Sequence, residues 1–396
     1  MSRALVVECV VPQATSHAEE VASMARNIGY QVLEIVIQHR KSLHHTYTIG
    51  PGKLEEVKQT VAERDIEAIL FANRLPGAQV FKIQKVLGGT EVKVIDRNLL
   101  ILEVFDKRAM TKESKLQIEL ARLRYTFSWG KEFLRLKGIL GEQVGWSGPG
   151  NYPYHDYQRG ARRQISRLER ELEDVYAKKK TSREHRQELG FPIIALAGYT
   201  QSGKTTFFNK VAGENKDTGL GPFTTLTTYA RKVELSDKSN PYGAILIDSI
   251  GFIEDMHPII VKAFNTTLGE ISTADLALLF VDASEDLESV HRKLSASSKV
   301  LKHIAPNLPL VLCINKTDRC TLTQLAEAKK LISQEFPDAP KVVLSALKGE
   351  NVTDVLHSAR ETLENKSKIK PGEPVSRVVP SIIVDQSKSS NSSVTT

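Results

Sequence analysis

Between residues 4 and 95 the chain alternates short apolar runs with stretches whose apolar residues recur at helical spacing. ALVVECV (4–10), VLEIVI (32–37), AILFA (68–72) and EVKVI (91–95) have the length and β-branched content of strands, and helices are expected near 16–28, from 53 and near 78–87. Strand and helix in turn is the rhythm of βα units around a small parallel sheet. GPGK (50–53) lacks the rest of a phosphate loop and reads as a tight turn into a helix N-terminus.

From about 107 the strand-like runs stop. KLQIELARLRY (115–125) places Leu116, Leu120 and Leu123 on one helical face, and ISRLERELEDVY (165–176) does the same with Ile165, Leu168, Leu172 and Val175. The segment between them, 137–157, is too rich in Gly and Pro for a helix and predicts a long loop. After Glu188 the βα rhythm returns with PIIALA (192–197), AILI (244–247), LALLFV (276–281), LVLCI (310–314) and KVVL (341–344). The expected fold is α/β: a small N-terminal domain with a parallel sheet (1–106), a long antiparallel helical hairpin (107–190) and a doubly wound domain (191–364). The Ser-rich tail (365–396) has too few apolar groups to pack and is expected to be disordered.

At 396 residues the chain is long enough for two or three cores, and 41% apolar with 26% charged residues is a globular composition. No run of 18 apolar residues and no leader-like segment is present, so a cytoplasmic monomer without a membrane partner is expected. Cys9, Cys313 and Cys320 have neither metal-type spacing nor an even count, which argues against zinc and disulfides. Charge changes the picture more. Residues 107–188 hold 19 Lys/Arg against 11 Asp/Glu, or +8 of a total of +7, so the rest of the chain is at −1. A basic element this localised points to a polyanion, nucleic acid before membrane.

The chemistry lies in the third segment. GYTQSGKT (198–205) follows a strand, opens a helix and satisfies G-x-x-x-x-G-K-[ST]. Gly198 and Gly203 let the backbone wrap close to phosphates, the amides from Gln201 to Thr206 point inward, Lys204 reaches the β- and γ-phosphates, and Thr205 offers a hydroxyl to Mg²⁺. Tyr199, Thr200 and Ser202 complete the loop. NKTD (315–318) follows the LVLCI strand: Asp318 can accept two hydrogen bonds from guanine that adenine cannot donate, with the Lys316 stem along the base and Asn315 beside it. Ser345, Ala346 and Leu347 supply the partner turn. Asp248 of DSIG would hold the metal through water, Ser249 and Ile250 follow it, and the Gly251 amide would face the γ-phosphate. In the Thr-rich FTTLTT (223–228), one hydroxyl should complete the metal shell.

Taken in their order along the chain, phosphate loop, Thr-rich stretch, DSIG, NKTD and the Ser345 turn, the five elements resemble those of the translation-factor-like GTPases, and the flanking residues resemble the HflX family of ribosome-associated GTPases. DSIGFIEDMHPIIVKAFNTTLGE (248–270) is similar to that family's switch-two segment, with Phe252 where Ras-like hydrolases carry a water-orienting Gln. FTTL (223–226) looks like its switch one, which makes Phe223 and Thr224 nucleotide neighbours and Thr225 a catalytic metal ligand beside Lys204 and Gly251. YTIGPGKLEE (47–56), VIDRNLLILEVF (94–105) and KLQIELARLRY are similar to signatures outside the GTPase domain. The resemblance implies GTP and GDP as ligands with Mg²⁺, binding to the large ribosomal subunit through the N-terminal domain and hairpin, and a role in ribosome splitting or rescue under stress. Slow turnover, stimulated by ribosomes, is expected because nothing obvious replaces the missing Gln.

The hairpin residues point independently to structured RNA. Arg122 and Arg124 precede the loop, Trp146 lies within it, and Arg159, Arg162 and Arg163 follow it, so that cations flank groups able to stack on bases. Coiled-coil solubility and loop packing account for the same residues without RNA. Gln201 stands where family members commonly carry an Asn that helps hold potassium in related GTPases, which leaves potassium dependence open. Asn151 and extra aromatics likewise depart from the family's hairpin loop. A GTP-switched assembly factor that does not split ribosomes, and more remotely an ATP-driven RNA remodeller, are the competing readings.

Overall fold

The computed structural model of the chain describes residues 2–88, 92–109, 111–139, 153–188, 191–214, 229–235, 242–254, 257–263 and 271–369. β1 (Arg3–Val10), β2 (Gln31–His39), β3 (Ala68–Phe71) and β4 (Lys93–Asp96) form a parallel sheet in the order β2-β1-β3-β4. The crossovers are α1 (Ala18–Asn27), α2 (Pro51–Arg64) and α3 (Gly77–Val86). Because strand side chains alternate, Leu5, Val7, Ile69 and Phe71 pack with Leu54, Val57, Val80 and Ile83 of α2 and α3, while Ala4, Val6 and Leu70 face α1 on the other side. GPGK is the turn the sequence predicts, with Gly50 as N-cap and Pro51 in the first turn of α2.

α4 (Arg97–Arg108) was not expected as a helix. Asp96 caps it by accepting from the Leu99 amide at 3.0 Å, and Leu99 to Leu102, Val104 and Phe105 are all buried. A helix enclosed on nearly every side carries no amphipathic stripe for periodicity to find.

α5 (Lys112–Ile139) and α6 (Pro153–Glu188) are antiparallel, with Leu116, Leu120, Leu168 and Leu172 closing a seam flanked by Leu123, Ile165 and Tyr176. The predicted loop over 137–157 is too long at both ends. Residues 137–139 continue α5, and α6 starts at Pro153, where proline's missing N–H costs nothing. At its other side α5 meets α3 so closely that a Cβ on Gly77 would stand 2.7 Å from the Trp129 Cα.

The second sheet runs β10-β9-β8-β5-β7-β6, from β5 (Ile193–Gly198), β6 (Tyr229–Glu234), β7 (Gly243–Asp248), β8 (Leu276–Asp282), β9 (Leu310–Asn315) and β10 (Lys341–Val343). All neighbours are parallel except β6 on β7. β6, YARKVE, is a strand that the apolar pattern does not predict, because its alternation is masked by charge, which suits an edge strand. α7 (Lys204–Ala212), α8 (Pro258–Ala263), α9 (Leu287–Ile304), α10 (Leu322–Glu335) and α11 (Val352–Ile369) cover it. α11 runs past the expected end at 364, and most of the tail, from 370, lies outside the described residues. No helix among the described residues is long and apolar enough to cross a membrane.

Leu168→Ala should lower the stability of the hairpin by about 2–5 kcal/mol, since a fully buried seam leucine is removed with little room for collapse. Urea unfolding followed by helix signal checks this, with nucleotide binding expected to be retained.

Candidate functional site: a phosphate loop joined to its switch and its base reader

β5 ends at Gly198 and α7 starts at Lys204, so the loop between them lies at the carboxyl end of the sheet, next to the end of β8. Both motif glycines answer to neighbours as well as to phosphate. Gly198 has φ +134° and a Cβ there would stand 2.4 Å from the Phe280 carbonyl oxygen; Gly203 has φ +96° and would meet the Asn315 Nδ2 at 2.1 Å. Gln201, at the exposed tip, also has positive φ.

The segment after β7 is attached to this loop by backbone. Thr200 N–H donates to the Phe252 carbonyl and Phe252 N–H to the Gly198 carbonyl, each at 2.9 Å. A Cβ on Gly251 would lie 2.7 Å from the Thr200 Cα, so glycine is required there for the approach itself. The Phe252 side chain is buried, and Ile250 and Ile253 are buried with it. Ser249 turns inward and donates to the Leu196 carbonyl. Ser249 and Ile250, expected at the nucleotide, therefore have only backbone to offer it.

Lys204 is buried, and its Nζ donates to the Gly198 and Tyr199 carbonyls at 3.0 and 2.7 Å. Burial, partly opposed by Asp248, pulls its pKa down to about 8. Thr205 Oγ1 donates to Asp248 at 3.0 Å, and Thr206 follows, half-buried, on α7. A hydroxyl and a fully buried carboxylate side by side are hard oxygen donors and fit Mg²⁺, which Thr205 would bind directly and Asp248 through water. Phe223, Thr224 and Thr225 lie outside the described residues, as does Trp146.

At the other end, Asn315 is held by protein groups on both sides. Its Nδ2 donates to the Ser202 carbonyl at 2.8 Å and its Oδ1 accepts from the Ala346 amide at 2.9 Å, so it ties phosphate loop to base loop from a buried position. Lys316, in the left-handed region at φ 64°, extends to Asp282 at 2.6 Å. Asp318 sits in the short 3-10 turn Thr317–Arg319 and accepts from the Ser345 hydroxyl at 2.6 Å; that bond, against burial, holds its carboxyl below the usual range. Leu347 is 67% exposed beside these groups, an apolar surface matched to a flat base.

Tyr199 carries a contact that nothing in the motif signals. Its hydroxyl donates to Glu20 of α1 at 3.3 Å and accepts from the Glu254 amide at 3.2 Å. Burial alone would raise Glu20, yet its bond to His17 and its contact with Arg97 hold it down at about 2. The phosphate loop, the switch and the N-terminal domain thus meet at one phenol.

The basic hairpin divides into two groups. Arg122 pairs with Asp106 at 3.6 Å and Arg124 with Glu169, so these two brace the helices. Arg159, Arg162 and Arg163 are exposed on α6, and the last two have no ion-pair partner among the described residues.

Phosphate oxygens beside Lys204 should restore its proton. Binding of GDP near pH 8 should therefore take up a fraction of a proton, and affinity should fall as pH rises past that value, because the folded pKa is depressed before binding. Calorimetry in two buffers of different ionisation enthalpy reads this directly. Asp318→Asn should weaken GDP by about 100-fold or more, since an acceptor pair becomes part donor, while xanthosine diphosphate should lose far less in the same competition assay.

Three comparisons agree with this geometry. Residues 15–106, 108–186 and 193–316 match in turn the families described as GTP-binding GTPase N-terminal, GTP-binding GTPase middle region and 50S ribosome-binding GTPase. GTPase HflX of Thermococcus kodakarensis is 39% identical over 344 residues, 86% of this chain and 74% of that one. GTPase HflX of Escherichia coli is 30% identical over 355 residues, 88% and 79% of the two chains. A crystal structure of the SsGBP and GDP complex superposes with TM-score 0.53 at 26% identity, covering 93% of this chain and all of that one. With the phosphate loop, the guanine reader and the two preceding domains all accounted for in one order, the chain belongs to the HflX family and is a GTPase that binds and hydrolyses GTP.

Proposed function

We propose that GTP binding and hydrolysis by this chain control its attachment to the large ribosomal subunit, with the basic hairpin on ribosomal RNA, and that the attached GTP form splits ribosomes. The observation that carries this reading is the physical continuity between switch and hairpin. The His257 amide, just before α8, donates to Asn98 at 3.3 Å; Asn98 donates to the Tyr125 hydroxyl of α5 at 3.2 Å; and the Tyr125 ring stands edge-on to His257 at 5.1 Å. Any movement of switch two on hydrolysis is therefore felt midway along α5 of the hairpin whose exposed surface presents Arg162 and Arg163. A matched family is described as 50S ribosome-binding, which agrees in kind with that charge.

Catalysis in this reading is assembled on the ribosome. Lys204 leaves the carbonyls of its own loop for the β- and γ-phosphates, and Gly251 offers its amide to the γ-phosphate. Mg²⁺, when bound, neutralises charge on the phosphate oxygens; Thr205 and Asp248 orient it. Phe252 is buried and cannot orient water, so turnover by the free protein is slow and the ribosome completes the site.

Sedimentation of ribosomes with the protein and a non-hydrolysable GTP analogue should show separated subunits with the protein on the large one. Intact ribosomes beside occupied free large subunits would instead favour an assembly factor. Arg162→Glu with Arg163→Glu should weaken large-subunit binding by at least about tenfold and flatten its salt dependence, with unstimulated GTP hydrolysis unchanged. An unaltered, salt-insensitive affinity would refute the RNA contact.

A further inference from the structure

Behind switch two lies a cavity of about 450 Å³ that borders the nucleotide site only at Ile250 and Gly251. Its apolar side is formed by Ile250 to Ile253, Val261 of α8 and Phe105 of α4, so two domains and the switch share it. Its polar side is one face of α9, where positions 288, 292, 295 and 299 fall in register at three- and four-residue spacing. Glu288 stands at one end of that face and Arg292, Ser295 and Lys299 lead to the other, where Glu254 of the lining offsets Arg292 and Lys299 leaves the excess positive charge.

Arg292 is the informative side chain. Its Nε and Nη1 are buried and have no hydrogen-bond partner among the described residues, although the Glu254 carboxylate lies 3.4 Å from Nε. Glu254 offsets the charge without providing an aligned acceptor. Buried donors left in this state are unfavourable, and a guanidinium not fixed by an aligned acceptor can turn an N–H toward an oxygen acceptor in the cavity. The volume is that of a small-ligand pocket, and its lining, largely apolar with a few convergent polar groups, is that of one too.

We propose that this cavity is an effector site for a small molecule with an apolar, ring-sized body and one anionic group, the anion at Arg292, Ser295 and Lys299 and the body against Phe105, Ile253 and Val261. Because the wall includes switch two, the occupant binds the GDP and triphosphate forms unequally, and by reciprocity it shifts the protein's preference between the two nucleotides.

The aromatic sulfonate 8-anilinonaphthalene-1-sulfonate and its neutral counterpart N-phenyl-1-naphthylamine serve as a matched pair of fluorescent probes for the full chain. The sulfonate should bind at one saturable site, and at least about tenfold more tightly than the neutral amine. Arg292→Met should weaken the sulfonate by about tenfold and leave the amine unchanged, the fold-change of one charged hydrogen bond. Ala296→Trp, which fills the cavity from α9, should abolish binding of both. Far-ultraviolet circular dichroism and thermal melting serve as the check on folding, and if the tryptophan variant fails that check, the Arg292→Met comparison decides alone. Sulfonate binding that is absent, or unchanged by Arg292→Met, overturns the site. Equal sulfonate affinity with GDP and with a non-hydrolysable GTP analogue overturns the coupling to the switch.

Discussion

Two backbone hydrogen bonds, Thr200 to Phe252 and Phe252 to Gly198, constrain much of this structure. They make the first residues of switch two a short parallel partner of the phosphate loop, with Tyr199 opposite Phe252. Side chains at paired positions must then leave the loop on the side away from the phosphates. Phe252 enters the apolar cluster shared with α4 and α5, and Tyr199 reaches α1. The same pairing forces Gly251 against the Thr200 Cα, where no side chain fits. A polar residue at 252 would be buried without a partner in this geometry, so the absence of a water-orienting amide is a requirement of the fold and not a local loss.

The interior of the joint is polar as well as apolar, and its charges are arranged to be affordable. Asp96 accepts from the Leu99 and Leu75 amides and from Tyr125, while burial raises its pKa against these bonds. Glu20 keeps its charge through His17 and Arg97. Such networks hold a geometry more narrowly than apolar packing does, because a small displacement leaves a buried group unpaired. That property suits a joint that transmits a small displacement rather than absorbing it.

Much of this was legible in the sequence, and the failures share a cause. The nine predicted strands are present because each is a short apolar run bounded by turn residues, and the hairpin seam is present because Leu116, Leu120, Leu168 and Leu172 repeat at helical spacing. α4 was missed because contact on all sides erases periodicity, and β6 because an edge strand tolerates charge. At the site, motif spacing located Lys204, Thr205, Asp248 and Asp318 but could not tell a side chain that meets ligand from one that meets protein. Asn315, Ser249 and Tyr199 each have a protein partner, 113, 53 and 179 residues away along the chain. No local pattern encodes contacts at that separation.

The joint also bears on why three domains stay in one order. Tyr199 is within the phosphate loop, so its hydroxyl cannot keep both Glu20 and the Glu254 amide if loop and switch separate. Each bond is worth on the order of 1 kcal/mol net, more to the ionised Glu20, so breaking either shifts an equilibrium by about fivefold or more without unfolding anything. Lys293 above the Tyr199 ring at 5.1 Å adds a cation to the same point from α9. A nucleotide that displaces Gly251 or Lys204 by an ångström therefore acts on α1, α4 and α9 together. In the reading proposed above, the N-terminal domain senses the bound phosphate through these contacts, and by reciprocity whatever holds that domain acts on the nucleotide.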